Sequence, residues 1–142
     1  MQEFKKLKIW QKAMEVTVDI YNITAGYPKA EIFGLVSQMR RSAVSVVSNV
    51  AEGAGRNNPK EFIQFLGYSQ ASALELETQL LVSMKVGYLD EIIHGTLETK
   101  ILEIQKMNRA LQNSIAKSIN NKKKDAFIPK DISLEKVKIT TK

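Results

Sequence analysis

The stretch from Gln38 to Arg56 constrains the fold most, because it combines an apolar helical face with a polar one and ends at two closely spaced glycines. Apolar or small residues recur at intervals of three and four, as the packing edge of a helix requires. They are Ile32, Val36, Met39, Ala43, Val46, Val50 and Gly53. The opposite side collects Gln38, Arg41, Ser45, either Ser48 or Asn49, and Glu52. The pattern predicts one helix with a core face and a polar recognition face.

Length and composition indicate one domain without disulfides. A chain of 142 residues with 44% hydrophobic content is long enough for one core and too short for two domains. It contains no cysteine, which excludes thiolate metal sites and cysteine nucleophiles and fits a reducing compartment. The amino-terminal residues lack the apolar run of a signal peptide, and no run approaches the roughly 20 residues that cross a bilayer. We therefore expect a cytoplasmic protein that does not enter a membrane.

Positive charge is unevenly distributed along the chain. The formal net charge of +6 is typical of a protein that binds nucleic acid. Residues 117–142, however, carry eight lysines against three acidic residues, a balance of +5, which leaves only +1 for residues 1–116. The sequence predicts a nearly neutral folded body, so binding to phosphate has to come from the tail or from a local patch.

Hydrophobic periodicity predicts four helices and an all-α fold. The predicted helices cover about residues 6–24, 29–54, 59–86 and 91–120. The third has the clearest start, because Asn58 can cap it, Pro59 suits its first position and Glu61 can complete a capping box. Since short breaks favour antiparallel neighbours, we expect an up-down-up-down four-helix bundle over residues 1–121 and a mobile, lysine-rich tail over residues 122–142.

The second and third predicted helices are unusually poor in charge. Residues 32–51 contain two charged side chains, and residues 62–84 contain two more. They are Arg40, Arg41, Glu75 and Glu77. A helix in a solitary four-helix bundle should present a charged stripe to water, so we expect copies of the chain to associate through these two helices.

Motifs for catalysis or metal binding are weak. Glu91 and His94 share one predicted helix face, as in di-iron bundles, but such a site needs a second copy of this motif and two more carboxylates. His94 is the only histidine, so we interpret it as a surface or helix-start residue. A catalytic serine needs a neighbouring group that activates it. The serines of the second helix have no cysteine and no available histidine for this role. We expect no metal, no cofactor and no enzymatic activity.

Lysines that could contact phosphate fall into two groups. Lys5, Lys6, Lys8 and Lys12 lie near the start of the first helix, and Lys117, Lys122, Lys123 and Lys124 lie near the end of the fourth. An antiparallel bundle would place both groups at one end, where their fields add. A solvated surface explains these lysines equally well.

For the arginines, structural ion pairing is favoured over ligand binding, and Glu52 and Arg56 are spaced to meet on one helix.

Three segments resemble a known family: FKKLKIWQKA near the start, YPKAEIFGLVSQMRRSAVSVVSNVAEGAGR in the middle and EFIQFLGYSQASALELETQL after it. Over roughly residues 4–115 the chain resembles the bacterial four-helix bundles named after proteins encoded in intervening sequences of 23S ribosomal RNA genes. That family is similar to the accessory variability determinant of diversity-generating retroelements, a barrel of five bundles that works with a reverse transcriptase and nucleic acid. The resemblance implies a homopentamer, which agrees with the charge-poor second and third helices; a shared fold does not by itself establish a shared activity.

Two functions are compatible with these features. The leading hypothesis is a non-enzymatic homo-oligomeric ring that binds RNA or DNA without strong sequence preference, through basic residues repeated around the assembly. The predicted contacts are Arg40, Arg41, Arg56, Lys5, Lys6, Lys8, Lys122, Lys123 and Lys124. The alternative is a scaffold whose polar stripe and ring surface dock another protein, such as a nucleic-acid enzyme.

Overall fold

The computed structural model describes residues 3–126, and these residues form four long helices. The helices are α1 (Lys8–Thr24), α2 (Leu35–Gly55), α3 (Pro59–Lys85) and α4 (Glu91–Ala126), with short 3-10 turns at Phe4–Lys6 and Lys29–Glu31. Helix α2 packs against α1 and α3, and α4 packs against α3 and α1, so the four helices close a bundle. Residues 3–126 contain no strand, and the predicted all-α class is confirmed.

The core is built from the periodic apolar residues of all four helices. Its largest fully buried side chains are Ile20, Met39, Val50, Leu66, Leu76, Leu80, Ile101 and Ile104. Burying a side chain of this kind contributes about 1.5–3 kcal/mol. The face predicted for the second helix is buried from Val36 to Gly53, and only its first member, Ile32, lies outside the core.

Helix α2 begins later than predicted. Lys29–Glu31 is a separate 3-10 turn, and the α-helix starts at Leu35, after Gly34 turns the chain with φ −109° and ψ −112°. The Glu31 carboxylate accepts a hydrogen bond from the Leu35 backbone nitrogen at 3.3 Å, which satisfies one of the free donors at the helix start. Ile32 lies before this start, so its side chain is 55% exposed, and its predicted burial is wrong.

Helix α3 begins where the sequence predicts. The Asn58 side-chain oxygen accepts hydrogen bonds from the backbone nitrogens of Lys60, at 2.9 Å, and Glu61, at 3.1 Å. A cap of this kind stabilises a helix by about 1 kcal/mol. Glu61 does not complete the predicted capping box; its carboxylate lies 3.9 Å from Arg56 instead.

Buried polar side chains connect neighbouring helices. Asn108, which interrupts the apolar face of α4, is fully buried and donates a hydrogen bond to the Leu66 carbonyl on α3 at 2.9 Å. Ser69 on α3 likewise donates to the Val46 carbonyl on α2 at 2.7 Å. Losing one partner of such a bond costs about 1–3 kcal/mol, so these residues fix the positions of the helices.

Helix α4 is longer than predicted. It has 36 residues, or about 54 Å, whereas α2 has 21 residues, or about 32 Å. Asn108 of α4 lies beside Leu66 of α3. The part of α4 that follows Asn108 runs to Ala126, and the part of α3 beside it runs only from Leu66 back to Pro59. The end of α4 therefore extends about 16 Å beyond the start of α3. Residues 122–126 of the predicted tail are therefore helical, and residues 127–142 lie outside the described part of the chain.

Candidate nucleic-acid interface

The bundle divides into two halves of opposite charge. We define the basic half as residues 3–13, 52–67 and 103–123, and the acidic half as residues 14–51 and 68–102. The basic half carries eleven lysines and arginines against four acidic residues, a net charge of +7. The acidic half carries five basic and eight acidic residues, a net charge of −3. Three of the eleven cations, Lys117, Lys122 and Lys123, belong to residues 117–142. Without them the basic half carries +4 against −3, so the nearly neutral body predicted for residues 1–116 still conceals a separation of charge.

Contacts between helices hold each half together in space. In the basic half, Lys12 on α1 lies 3.5 Å from Glu103 on α4, and Asn108 binds Leu66 on α3. In the acidic half, Lys100 on α4 donates a hydrogen bond to Asp19 on α1 at 2.8 Å. These contacts place residues of different helices side by side within each half.

A cleft of about 820 Å³ lies at the end of the basic half. We call it the end cleft. Its walls are the residue before α1, the turn between α2 and α3, and the part of α4 that extends past the other helices. Its lining residues are Leu7, Ala54, Arg56, Asn57, Asn58, Pro59, Phe62, Leu111, Ser114, Ile115, Lys117, Ser118, Asn121 and Lys122. This volume is typical of ligand sites, which span roughly 300–1,000 Å³.

The lining of the end cleft has an apolar part and a cationic part. Leu7, Phe62, Leu111 and Ile115 are partly buried and pack against the hydrophobic core, so they form its apolar floor. Arg56, Lys117 and Lys122 are exposed and provide three positive charges around it. The cleft thus combines an apolar surface with cations, and both are available to the same ligand.

Arg56 is held in place by weak ion pairs. Its guanidinium lies 3.4 Å from the Glu52 carboxylate and 3.9 Å from the Glu61 carboxylate, and it covers the ring of Phe65 at 4.9 Å. The predicted pairing with Glu52 is confirmed. The Arg56 side chain is 46% exposed, and pairs of this kind contribute only about 0.2–1 kcal/mol. A phosphate group can therefore compete for this guanidinium.

Several of the predicted contact residues lie at or near the end cleft. Arg56 and Lys122 line it directly, and Lys123 is exposed on the same helix. Lys5 and Lys6 lie in the 3-10 turn that leads to Leu7, and both are exposed. Lys8 begins α1 and lines a neighbouring groove between α1 and α4. Lys124 is part of α4, and its side chain is outside the described structure.

Arg40 and Arg41 belong to the acidic half. Arg40 donates hydrogen bonds to the Thr24 hydroxyl at 3.0 Å and to the Tyr21 carbonyl at 3.4 Å, which satisfies acceptors at the end of α1. It also covers the Tyr21 ring at 4.7 Å. Arg41 lines a groove of about 340 Å³ between α2 and α3, together with Gln38 and Ser45 of the predicted polar face. The structure therefore does not bring these two arginines together with the other predicted contacts.

The polar groove between α2 and α3 is closed by hydrogen bonds between small side chains. Ser45 and Ser72 lie 2.7 Å apart, and Ser42 donates to Glu75 at 3.3 Å. These hydrogen bonds join α2 to α3 through serine hydroxyls. Glu77 accepts a hydrogen bond from Gln105 on α4 at 2.8 Å.

Part of the end cleft was missed by the sequence interpretation. Lys117 was recognised as basic but was not among the predicted contacts, and Asn57, Ser114, Ser118 and Asn121 were not considered. On α4 the lining residues recur every three or four positions, which is the signal of one helix face. The sequence therefore indicates that these residues share one face of α4. Only the structure shows that the other helices end before this face does, which leaves it open as the wall of a cleft.

Groups with raised pKa values lie in the acidic half. The hydrogen bond to Asp19 raises the pKa of Lys100. The hydrogen bond to Glu31 raises the pKa of Tyr88, and burial raises the pKa of Tyr27. These shifts accompany internal pairing and burial, so they indicate structural roles more than a reactive site.

His94 has a different environment from the one expected of a surface residue. It lies in the first turn of α4, as predicted, but its side chain is buried, and Nε2 is 3.8 Å from the Glu98 carboxylate. Residues 3–126 contain no group of three His, Cys, Asp or Glu side chains arranged to hold a metal ion. In the same part of the chain, none of the helices combines the length and apolar character needed to span a bilayer.

The fold and the end cleft define a small helical bundle with a concentrated basic region. The family model described as 23S rRNA-intervening sequence protein matches residues 5–110, so the chain belongs to this family. The resemblance predicted over residues 4–115 is confirmed. The residues of α4 that line the end cleft lie beyond the matched region.

A solved structure is similar to this chain. It is described as a protein with unknown function from the S23 ribosomal protein family, from Bacteroides thetaiotaomicron VPI-5482. The two chains are 22% identical with a TM-score of 0.69, and the likeness covers 74% of this chain and 95% of the other. At this identity the likeness shows the fold alone. No curated protein matches the chain.

Proposed function

We propose that this protein is a non-enzymatic, cytoplasmic nucleic-acid-binding bundle whose basic half contacts phosphate groups of RNA without strong sequence preference. The observation that carries the proposal is the charge of +7 on the basic half beside −3 on the acidic half. Exposed lysines and arginines bind phosphate by releasing counterions, which needs no base-specific geometry. The family name refers to ribosomal RNA genes and is consistent with this function.

The order of the contacts supports an antiparallel up-down-up-down topology. Residues 42 and 45 of α2 bind residues 75 and 72 of α3, so one number rises as the other falls. The same reversal relates Lys12 and Asp19 of α1 to Glu103 and Lys100 of α4. In this topology the start of α1 and the end of α4 lie at one end, which concentrates their lysines.

Self-association through α2 and α3 completes the proposal. The outer surface of these helices exposes apolar side chains and few charges. The exposed apolar residues there are Val44, Tyr68, Leu74, Leu81 and Val82. A ring of subunits would hide this surface and repeat the basic half around the assembly, so that weak phosphate contacts reinforce one another. Five subunits are expected from the resemblance to the barrel of five bundles.

Salt-dependent retention of RNA tests the binding function. The full chain is immobilised and exposed to a mixed-sequence RNA over a series of salt concentrations. We expect retention at low salt and a linear fall of log affinity with log salt, with a slope of about −0.7 for each phosphate contact with a single strand. Absence of retention at low salt would contradict the proposal, and the protein-docking scaffold would then be the function to test.

Sedimentation of a surface variant tests the assembly. Leu74→Glu places a charge on the outer surface of α3, where the side chain is 52% exposed, so the monomer should still fold. We expect this variant to sediment as a monomer while the original chain sediments as an oligomer. Leu102→Glu, on the exposed surface of α4, is the matched control and should remain oligomeric. Equal sedimentation of both variants would place the interface elsewhere.

A further inference from the structure

We propose that the end cleft is a binding site for one unpaired nucleotide of an RNA strand, with the base on the apolar floor and the phosphate at the cationic rim. This inference rests on the proposed RNA-binding function and goes further, because it assigns a defined pocket and a class of ligand. Lysines on a convex surface bind any phosphate backbone. The end cleft adds a concave apolar surface, which a phosphate backbone alone does not use.

The floor of the cleft suits the face of a nucleobase. Phe62 on α3 supplies an aromatic ring, and Leu111 and Ile115 on α4 supply aliphatic surface. Stacking of a base on an aromatic side chain contributes about 1–3 kcal/mol and tolerates any base, because every base has a π face. The Phe62 ring also packs closely on the α2 backbone, since a Cβ added at Gly53 would lie 3.0 Å from its Cδ1. A rigid ring loses little entropy on binding.

The rim of the cleft suits a phosphate group. Arg56 lies at the end of α2, and Lys117 and Lys122 lie on consecutive turns of α4 that face the same cleft. A guanidinium binds phosphate through paired hydrogen bonds, and the two ammonium groups add charge. The weak ion pairs of Arg56 with Glu52 and Glu61 can be exchanged for a phosphate.

Amide and hydroxyl side chains complete the lining. Asn57, Asn58 and Asn121 carry amides, and Ser114 and Ser118 carry hydroxyls. The Asn58 oxygen is engaged in capping α3, which fixes this side chain while its amide nitrogen remains a donor. Groups of these two kinds bind the edges of bases and the sugar hydroxyls.

The shape of the site favours a single strand over a duplex. In a duplex the base faces are covered by stacking and the Watson–Crick edges by pairing, so a base cannot lie on the floor of the cleft unless it is extruded. In an unstacked strand the base is free to enter. We therefore expect the end cleft to distinguish strands from duplexes, whereas the lysines around it do not.

A cleft-filling variant tests this inference. Ser118→Trp fills the cleft from α4 without changing charge, and Asn120→Trp places the same side chain at an exposed position that does not line the cleft. Binding of the full chain to a labelled, unstructured RNA strand and to the same strand annealed to its complement is measured by fluorescence anisotropy. Circular dichroism verifies that both variants remain helical. Adenosine monophosphate and inorganic phosphate serve as minimal probes in amide chemical-shift titrations.

The expected results separate the pocket from general phosphate binding. Ser118→Trp should weaken binding to the strand by about tenfold, the loss of roughly one stacked base, and should change duplex binding by less than about twofold. Asn120→Trp should match the original chain. Adenosine monophosphate should shift the amides of residues 111–122 and 56–62, and inorganic phosphate should shift only those next to the rim.

Two results would overturn the inference, and they differ in what else they remove. If strand and duplex bind equally and both tryptophan variants behave alike, RNA binding stands while the nucleotide pocket is wrong. If the original chain retains no RNA even at low salt, the proposed function fails and the pocket fails with it.

Discussion

The two halves of the bundle use their charged side chains differently. In the acidic half two of the five cations make specific contacts: Lys100 binds Asp19 at 2.8 Å and also lies 3.9 Å from Glu15, and Arg40 closes the end of α1. In the basic half the ion pairs of Lys12 and Arg56 are all longer than 2.8 Å, at 3.4–3.9 Å, and the eleven cations outnumber the four acidic residues. Cations that pair with acidic residues of the same chain contribute to the fold. The net positive charge that remains in the basic half can attract an anionic ligand. Net charge summed over the chain hides this division.

The largest expected effects come from two glycines, Gly53 in the basic half and Gly95 in the acidic half, that differ in how closely other atoms approach them. A side chain at Gly53 would lie 2.8 Å from the Phe65 Cβ, so α2 and α3 would have to move apart. We expect Gly53→Ala to lower the free energy of unfolding by about 1–3 kcal/mol, the usual cost of overpacking. Gly95, in the acidic half, has open space around it. Gly95→Ala should therefore raise stability by about 0.5–1 kcal/mol.

Urea unfolding at one fixed protein concentration measures both glycine variants. The fixed concentration matters because association stabilises the folded state by mass action. If the two alanine variants had equal stability, the close approach of α2 and α3 at the basic half would be contradicted.

Charge reversal tests whether binding belongs to one half. The double variant Lys117→Glu with Lys122→Glu changes two cations of the end cleft, and we expect RNA affinity to fall about tenfold or more. The control is Lys29→Glu with Lys85→Glu, which makes the same change in net charge on exposed residues of the acidic half. It should alter affinity by less than about twofold. Equal losses in filter binding at moderate salt would mean that only total charge matters.

Removing a carboxylate should raise RNA affinity when the carboxylate lies in the basic half and should have no effect when it lies in the acidic half. Glu52 shares the guanidinium of Arg56, so Glu52→Gln should free this group for phosphate and raise RNA affinity about threefold. Glu91→Gln removes an exposed carboxylate from the acidic half and should leave affinity unchanged. The same binding assay measures both variants. Weaker binding by Glu52→Gln would show that the ion pair positions Arg56 for its ligand.

The smallest expected effect is a loss of stability at alkaline pH that originates in the acidic half. Burial raises the pKa of Tyr27, and the hydrogen bond to Asp19 raises the pKa of Lys100, so both hold their protons more tightly when the chain is folded. This stabilisation is fully present below the unfolded values of 10.0 and 10.5 and is lost as pH rises through the folded values.

Urea unfolding at pH 8 and at increasing pH above 10.0 checks this sign. We expect a small fall in the free energy of unfolding, and Tyr27→Phe should reduce the fall because it removes one of the groups whose pKa is raised in the folded chain. The value at pH 8 serves as the reference for each chain. Stability that rose above pH 10.0 would contradict the assignment.

Local sequence signals predict the four helices, but not all of their bounds and not the site. Asn58 and Pro59 fixed the start of α3, because a capping residue acts on its own helix. Gly34 was overlooked because its effect depends on Glu31, which is held by Tyr88 from 57 positions away. Nothing between Asn120 and Lys124 breaks a helix, so the end of α4 was set too early. The end cleft depends on how far α4 extends beyond its neighbours, which no local pattern specifies.

The separation of charge along the bundle also has a kinetic consequence. Net charges of +7 and −3 on the two halves give the molecule a large permanent dipole moment. In the field of a polyanion such a molecule rotates while it is still diffusing, so that the same pole arrives first in most collisions. A larger fraction of collisions therefore has the orientation that leads to binding. The association rate constant should rise steeply as ionic strength falls.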